Sequence, residues 1–191
     1  MSESRAHEKE TLNMHDAPLQ RIVVEIVGAP FHALVTPEDG LIRAGGFATA
    51  ADPEAAELFA RLARLDPKLA ARGVDATATE TGKIFDALRA YDAGEVTAID
   101  ALPVAQPETP FRGEVWRALR EVPAGSPVTY AELAVRAGRP TAVRAAASGC
   151  ANNLVALIVP CHRIVRSDGG LGGYLFGTEI KRRLLELEAA R

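Results

Sequence analysis

Only two cysteines, Cys150 and Cys161, occur in 191 residues. They cannot build a disulfide scaffold, and two thiols alone do not make a four-thiolate zinc centre. Long apolar runs are missing as well. The longest, LVALIV at residues 154–159, falls far short of the roughly 20 residues that a spanning helix needs. The first fifteen residues place no apolar stretch between their charges, so no secretory signal is expected. A soluble, cytoplasmic chain with reduced thiols and no membrane contact is the expectation. Aromatics are scarce at 5%, but 48% hydrophobic and 25% charged residues are ordinary for a globular chain and exclude wholesale disorder. The length suits one domain or two small ones.

The net charge of −3 conceals an asymmetry. Residues 1–110 carry ten basic and eighteen acidic side chains, a net of −8, whereas residues 111–191 carry twelve and seven, a net of +5. A basic half joined to an acidic one hints at polyanion binding, although an excess of this size is also common on ordinary surfaces.

Patterning divides the chain in the same place. Residues 1–17 read as a disordered tail and residues 18–101 as a small α/β domain. In that domain, residues 22–27, 32–35 and 41–47 are β-rich, with a Pro37-Glu38-Asp39-Gly40 turn before the third. Asp52 before Pro53 reads as an N-cap, followed by Leu58, Phe59, Leu62 and Leu65 at helical spacing. A second helix is predicted over residues 81–93, closed by Gly94. Residues 102–110, with three prolines, read as a linker.

Beyond it the pattern is mainly helical. Phe111, Val115, Trp116, Leu119 and Val122 form one apolar face. Thr129 and Glu132 have capping-box spacing and open a short helix over residues 130–137. Gly138 closes that helix, and an alanine-rich one follows over residues 141–151. Two short helices around a tight glycine turn resemble a helix-turn-helix, a pattern shared by many helix pairs that merely pack. Residues 154–159 read as a buried strand stopped by Pro160, and residues 178–190 as a last helix.

Chemistry concentrates after that strand, in IVPCHRIVRSDGGLGGY at residues 158–174. Cys161 sits where proline ends pairing, so its thiol can face a cleft, and His162 follows. An ordinary thiol is a poor nucleophile at neutral pH until a base or a positive field favours the thiolate. Adjacent residues do not readily hydrogen-bond side chain to side chain, so a bridging water or a bend is expected between them. An inert buried cysteine beside a structural histidine is the plain alternative. On the last helix, Ile180, Leu184 and Glu188 lie at i, i+4 and i+8, so a carboxylate continues an apolar stripe. It is either partnered, and then able to fix a histidine tautomer, or rotated to water at a fraying end.

Residues 111–188 resemble the active-site domain of the 6-O-methylguanine-DNA methyltransferases. The likeness rests on the PCHR segment at 160–163, with Phe111, Val115-Trp116, Thr129-Tyr130, Pro140, Arg144-Ala145, Asn153, Gly173-Tyr174, Lys181 and Glu188 in agreement. It implies an α/β N-terminal domain of the RNase H-like type and a mainly α C-terminal domain over residues 111–191. The latter would have a winged-helix-like helix-turn-helix and carry the acceptor cysteine. It further implies irreversible, single-turnover transfer of an alkyl group from the exocyclic oxygen of guanine, and of thymine, to Cys161. His162 would act as base through water, Glu188 would orient it, and Asn153 would hold the cysteine segment. Thr129, Tyr130, Arg144 and Ala145 would meet duplex DNA in the minor groove, Arg144 filling the stack that a flipped base vacates. Tyr130, Ile164, Tyr174, Leu175 and Phe176 would line the pocket. A monomer with no metal and no cofactor is implied.

Some positions depart from the family's common pattern. Leu154 follows Asn153 where proline is frequent, Ala147 stands where glycine is common, and Leu175 and Phe176 replace small residues. Phe176 is expected to stand at the pocket rim and crowd large alkyl groups. The main competing reading is a lesion sensor that flips the base without transfer. Such proteins lack the cysteine present here as Cys161.

Overall fold

A computed structural model describes residues 17–190. Most of the expected N-terminal tail therefore lies outside the described residues. Three strands form a meander: β1 (Leu19–Ile26), β2 (Ala29–Val35) and β3 (Ile42–Phe47). β1 and β2 pair antiparallel from Gln20↔Val35 to Ile26↔Ala29. Their turn, Val27-Gly28, has φ of 48° and 75°, both left-handed as a two-residue hairpin of this twist requires. A valine there is unusual, and the Asp92 carboxylate holds it by accepting from the Val27 N–H at 2.7 Å.

Two helices follow, α1 (Ala56–Leu65) and the short α2 (Pro67–Ala70). β4 (Val74–Thr79) then joins the sheet parallel to β1, giving the order β3-β2-β1-β4. The sequence does not mark α2 or β4, because neither has a sustained period and β4 buries none of its side chains fully. Asp52 does serve the start of α1, but as an acceptor for the N–H groups of Ala56 and Glu57 at 2.7 and 2.9 Å rather than as the residue next to the helix. α3 (Lys83–Asp92) buries Leu88 and Tyr91.

Residues 102–110 do not hang free. Ile42 N–H donates to Pro103 O and Ala105 N–H to Ile42 O, both at 3.0 Å, so the segment runs along β3 as a pinned strap. α4 (Pro110–Arg120) follows, then β5 (Val128–Thr129), α5 (Tyr130–Arg136) and α6 (Val143–Ala151). Gly149 lets α4 and α6 meet closely: a Cβ there would lie 2.8 Å from Val115 Cγ1, and Trp116 Nε1 donates to Gly149 O at 3.0 Å.

The strand expected over residues 154–159 is not one. Its apolar side chains are all buried, but Leu157 has φ 69° and the Val159 N–H returns to Val155 O. Val155 makes only an isolated bridge to Gly45. A short apolar run records burial, not backbone shape. A 3-10 turn, Cys161–Arg163, leads into β6 (Ile164–Val165), which pairs parallel with β5. α7 (Thr178–Ala189) closes the fold. One apolar cluster joins the inner face of β1 and β2, α3, and helices α4 to α7; a smaller one fills the gap between the sheet and α1. Among the described residues no helix is long and apolar enough to cross a membrane.

Candidate active site

The irregular path of residues 153–163 delivers Cys161 to the wall of a cavity of about 280 Å³. Tyr130, Asn153, Tyr174, Leu175 and Phe176 share that wall. Asn153 governs the sulfur. Its side-chain N–H groups donate to Cys161 Sγ at 3.3 Å and to Val159 O at 2.7 Å. Its Oδ1 accepts from the Val155 N–H and from Gln106 Nε2, both at 3.1 Å. Gln106 Oε1 in turn accepts from the Leu154 N–H at 2.7 Å. The amide is thus held at both ends, and part of the hold comes from the strap, where the sequence carried no signal for it.

His162 is fully buried behind the thiol, with Nε2 3.0 Å from Glu188 Oε1. Burial alone would raise the Glu188 pKa, but His162 and Arg163 outweigh it and hold the carboxyl at about 2. The carboxylate is therefore ionised, so Nε2 carries the proton and Nδ1 presents a lone pair. Burial also lowers the His162 pKa against the opposing pull of Glu188, which keeps the ring neutral at physiological pH. Nδ1 is buried without a partner among the described residues. No direct hydrogen bond joins it to Cys161, in keeping with the expected bend or bridging water.

Of the two readings left open for Glu188, the partnered one is correct. Arg163 donates to it through Nε at 3.1 Å and Nη2 at 2.8 Å while Nη1 donates to Val122 O, and Tyr91 Oη donates to Oε1 at 2.8 Å. Nothing local in the sequence of α3 marks the Tyr91 hydroxyl as a donor whose partner lies 97 positions away.

Burial pushes the Cys161 thiol pKa up, while the Asn153 bond, Lys181 and Arg61 pull it down. Lys181 is fully buried and donates to Ile164 O at 2.5 Å. Arg61 was also missed, although it interrupts the apolar stripe of α1 just as Glu188 interrupts that of α7. Cys150 is half-buried on the same cavity wall, with its thiol pKa raised by burial.

Two pocket expectations need correction. Ile164 is fully buried in the core by the β5–β6 pairing and is not on the cavity wall. Phe176 is no rim residue: it is 8% exposed, packed edge-on against Phe47 and Tyr174 at 5.6 and 5.4 Å, and seated over Gly46, which has no side chain to obstruct it. Leu175, 51% exposed, stands at the mouth instead.

Outside the cavity, Thr129 makes the expected capping box: its Oγ1 accepts from the Glu132 N–H at 3.2 Å and its own N–H donates to Glu132 Oε2 at 2.6 Å. Tyr130 opens α5 from the cavity wall. Arg144 and Ala145 lie exposed in the first turn of α6. The structure does not gather these two with the thiol.

Residues 110–190 match the family model of the 6-O-methylguanine DNA methyltransferase DNA-binding domain. A methylated-DNA–protein-cysteine methyltransferase of Shigella flexneri is 42% identical over 112 residues, 59% of this chain and 66% of that protein. The bifunctional transcriptional activator/DNA repair enzyme Ada of Escherichia coli is 51% identical over 88 residues, 46% of this chain and 25% of that protein. The matched segments thus span under two thirds of these relatives' own lengths. The crystal structure of the Mycobacterium tuberculosis O6-methylguanine methyltransferase aligns with TM-score 0.67 at 28% identity, covering 91% of this chain and 94% of that one. The protein from the same organism in complex with DNA aligns with TM-score 0.65 at 26% identity, covering 90% and 93%. The segment matched by the family model includes Cys161, His162 and Glu188, whose contacts are described above, and over residues 110–190 the chain is similar to the 6-O-methylguanine DNA methyltransferases.

Proposed function

We propose that this protein repairs duplex DNA by moving a methyl or other small alkyl group from the exocyclic oxygen of guanine, and of thymine, onto Cys161. One observation carries the reading: a cavity-facing sulfur is held by a fully satisfied amide beside a neutral imidazole whose far nitrogen is tied to an ionised carboxylate. The thiol proton passes through water to His162 Nδ1. Sγ then attacks the alkyl carbon in line, an S–C bond forms as the C–O bond breaks, and the base leaves with the electron pair. The nascent imidazolium is stabilised by Glu188, and its proton returns to the departing base. The thioether is stable, so each molecule acts once.

A thiol set in such a wall is out of reach of a stacked base, so the nucleotide must be flipped out at a cost of a few kcal/mol. Tyr130 contacts the flipped nucleotide and Arg144, exposed on α6, fills the gap from the minor groove. Asn153, Tyr174 and Leu175 complete the pocket, and Thr129 and Ala145 face the backbone. Finer features follow the same reading. The mixed sheet is taken as RNase H-like, with residues 102–110 as the strap to a winged-helix-like unit. The protein acts as a monomer in the cytoplasm, where two free cysteines stay reduced.

Intact mass after incubation with an O6-methylguanine duplex tests this. One added methyl mapped to the Cys161 peptide is expected; Cys161→Ala should abolish it and keep duplex affinity. Tight binding without a mass change would establish the sensor reading instead.

A further inference from the structure

We infer that Arg61, on α1 of the N-terminal half, is a positioning residue for the Cys161 thiol, supplying both a clamp on its scaffold and a positive charge beside it. The inference rests on the alkyl-transfer reading and deepens it. Arg61 is 5% exposed. Its Nη2 donates to Ala151 O at 2.8 Å and to Asn153 O at 3.1 Å, across more than 90 positions of sequence for the second. Those carbonyls belong to the last residue of α6 and to the residue whose side-chain amide holds Cys161 Sγ. A shift of Arg61 would therefore move the sulfur's donor directly.

The charge is the second element. Among the described residues Arg61 forms no ion pair, and its buried Nε has no partner. Burial opposes its charge most, Cys161 favours it, Arg64 opposes it and Glu57 favours it least. An arginine stays protonated even when buried, and a buried cation without a counter-ion is costly unless an anion answers it. Arg61 lines the same cavity as Cys161, so the thiolate formed on the way to reaction is that anion. The remaining groups facing the sulfur do not replace it. Lys181 is the other cation, fixed on Ile164 O. Cys150, Tyr130 and Tyr174 are neutral there, with pKa values raised by burial, and His162 is neutral as well. The N-terminal half thus contributes to the chemistry of a cysteine 100 positions further along.

Iodoacetamide, a small thiol alkylator that needs no DNA, provides the test. Its reaction at Cys161, resolved from Cys150 by peptide mass, is followed over a neutral-to-alkaline pH series in the full chain, in R61Q and in R61K. R61Q is expected to move the Cys161 ionisation upward by about one unit, a roughly tenfold loss of rate at neutral pH that disappears at alkaline pH. R61K, which keeps the charge, should recover most of the neutral-pH rate. An unmoved R61Q profile overturns the inference, as does an equal loss at every pH shared by R61K. Should R61Q not fold, R61M takes its place; failure of both to fold while R61K folds also overturns it, leaving a purely structural clamp. Absence of methyl transfer from a methylguanine duplex would defeat the repair reading alone, without touching the iodoacetamide result.

Discussion

Tyr91 and His162 meet on one oxygen: Glu188 Oε1 accepts from the Tyr91 hydroxyl at 2.8 Å and lies 3.0 Å from His162 Nε2. A tyrosine of the N-terminal half thereby shares the carboxylate that orients the imidazole. Tyr91→Phe removes one of several donors to a buried charge, and a loss of about 1–2 kcal/mol of stability is expected, with slower methyl transfer. Urea denaturation and single-turnover transfer rates check both effects.

Acid should weaken the fold through the same pair. The folded Glu188 carboxyl is depressed to about 2 from 4.5. Its contribution is therefore complete above pH 4.5 and lost as pH falls toward 2. His162 is also depressed when folded. Below its ordinary value of 6.5 the unfolded chain gains a proton that the folded one refuses, so stability starts to fall there. Denaturation midpoints measured from neutral to acid pH should decline from the histidine range downward. In His162→Gln the first part of that decline should shrink, the remainder belonging to His32, whose pKa burial also lowers.

Asn153→Ala removes the donor to Cys161 Sγ and leaves Gln106 without its acceptor. A hydrogen bond to a developing thiolate is worth about 1.5–3 kcal/mol, so transfer should slow by about ten- to a hundredfold. Duplex affinity, measured by fluorescence anisotropy, should change little. Gln106→Ala should produce a milder version of the same defect, because the strap would lose its grip on the amide.

Phe176 was expected to crowd large alkyl groups from the rim; from its seat over Gly46 it narrows the cavity from inside. Phe176→Ala would empty a packed site at a cost of about 3–5 kcal/mol, so Phe176→Leu is the informative variant. It should raise inactivation by O6-benzylguanine relative to methyl repair, with only a small drop in melting temperature. An unchanged ratio would place the size limit elsewhere, at Tyr174 or Leu175.

The amino-acid sequence by itself determined the local features. The Thr129–Glu132 capping box, the amphipathic helices and the adjacent Cys161 and His162 could be read because caps, periods and adjacent residues act over a few positions. It also marked Glu188 as anomalous, since a charge in an apolar stripe is visible without knowing its partner. Tertiary structure alone decided that partner, along with the turns within the apolar run at 154–159 and the inward seat of Phe176. It also decided the convergence of Arg61, Tyr91 and Gln106 on the cysteine's surroundings. The reason is physical. Hydrogen bonds and packing that close across 47 to 97 positions leave no local periodicity, and their energy depends on burial that exists only once both halves of the chain are folded together.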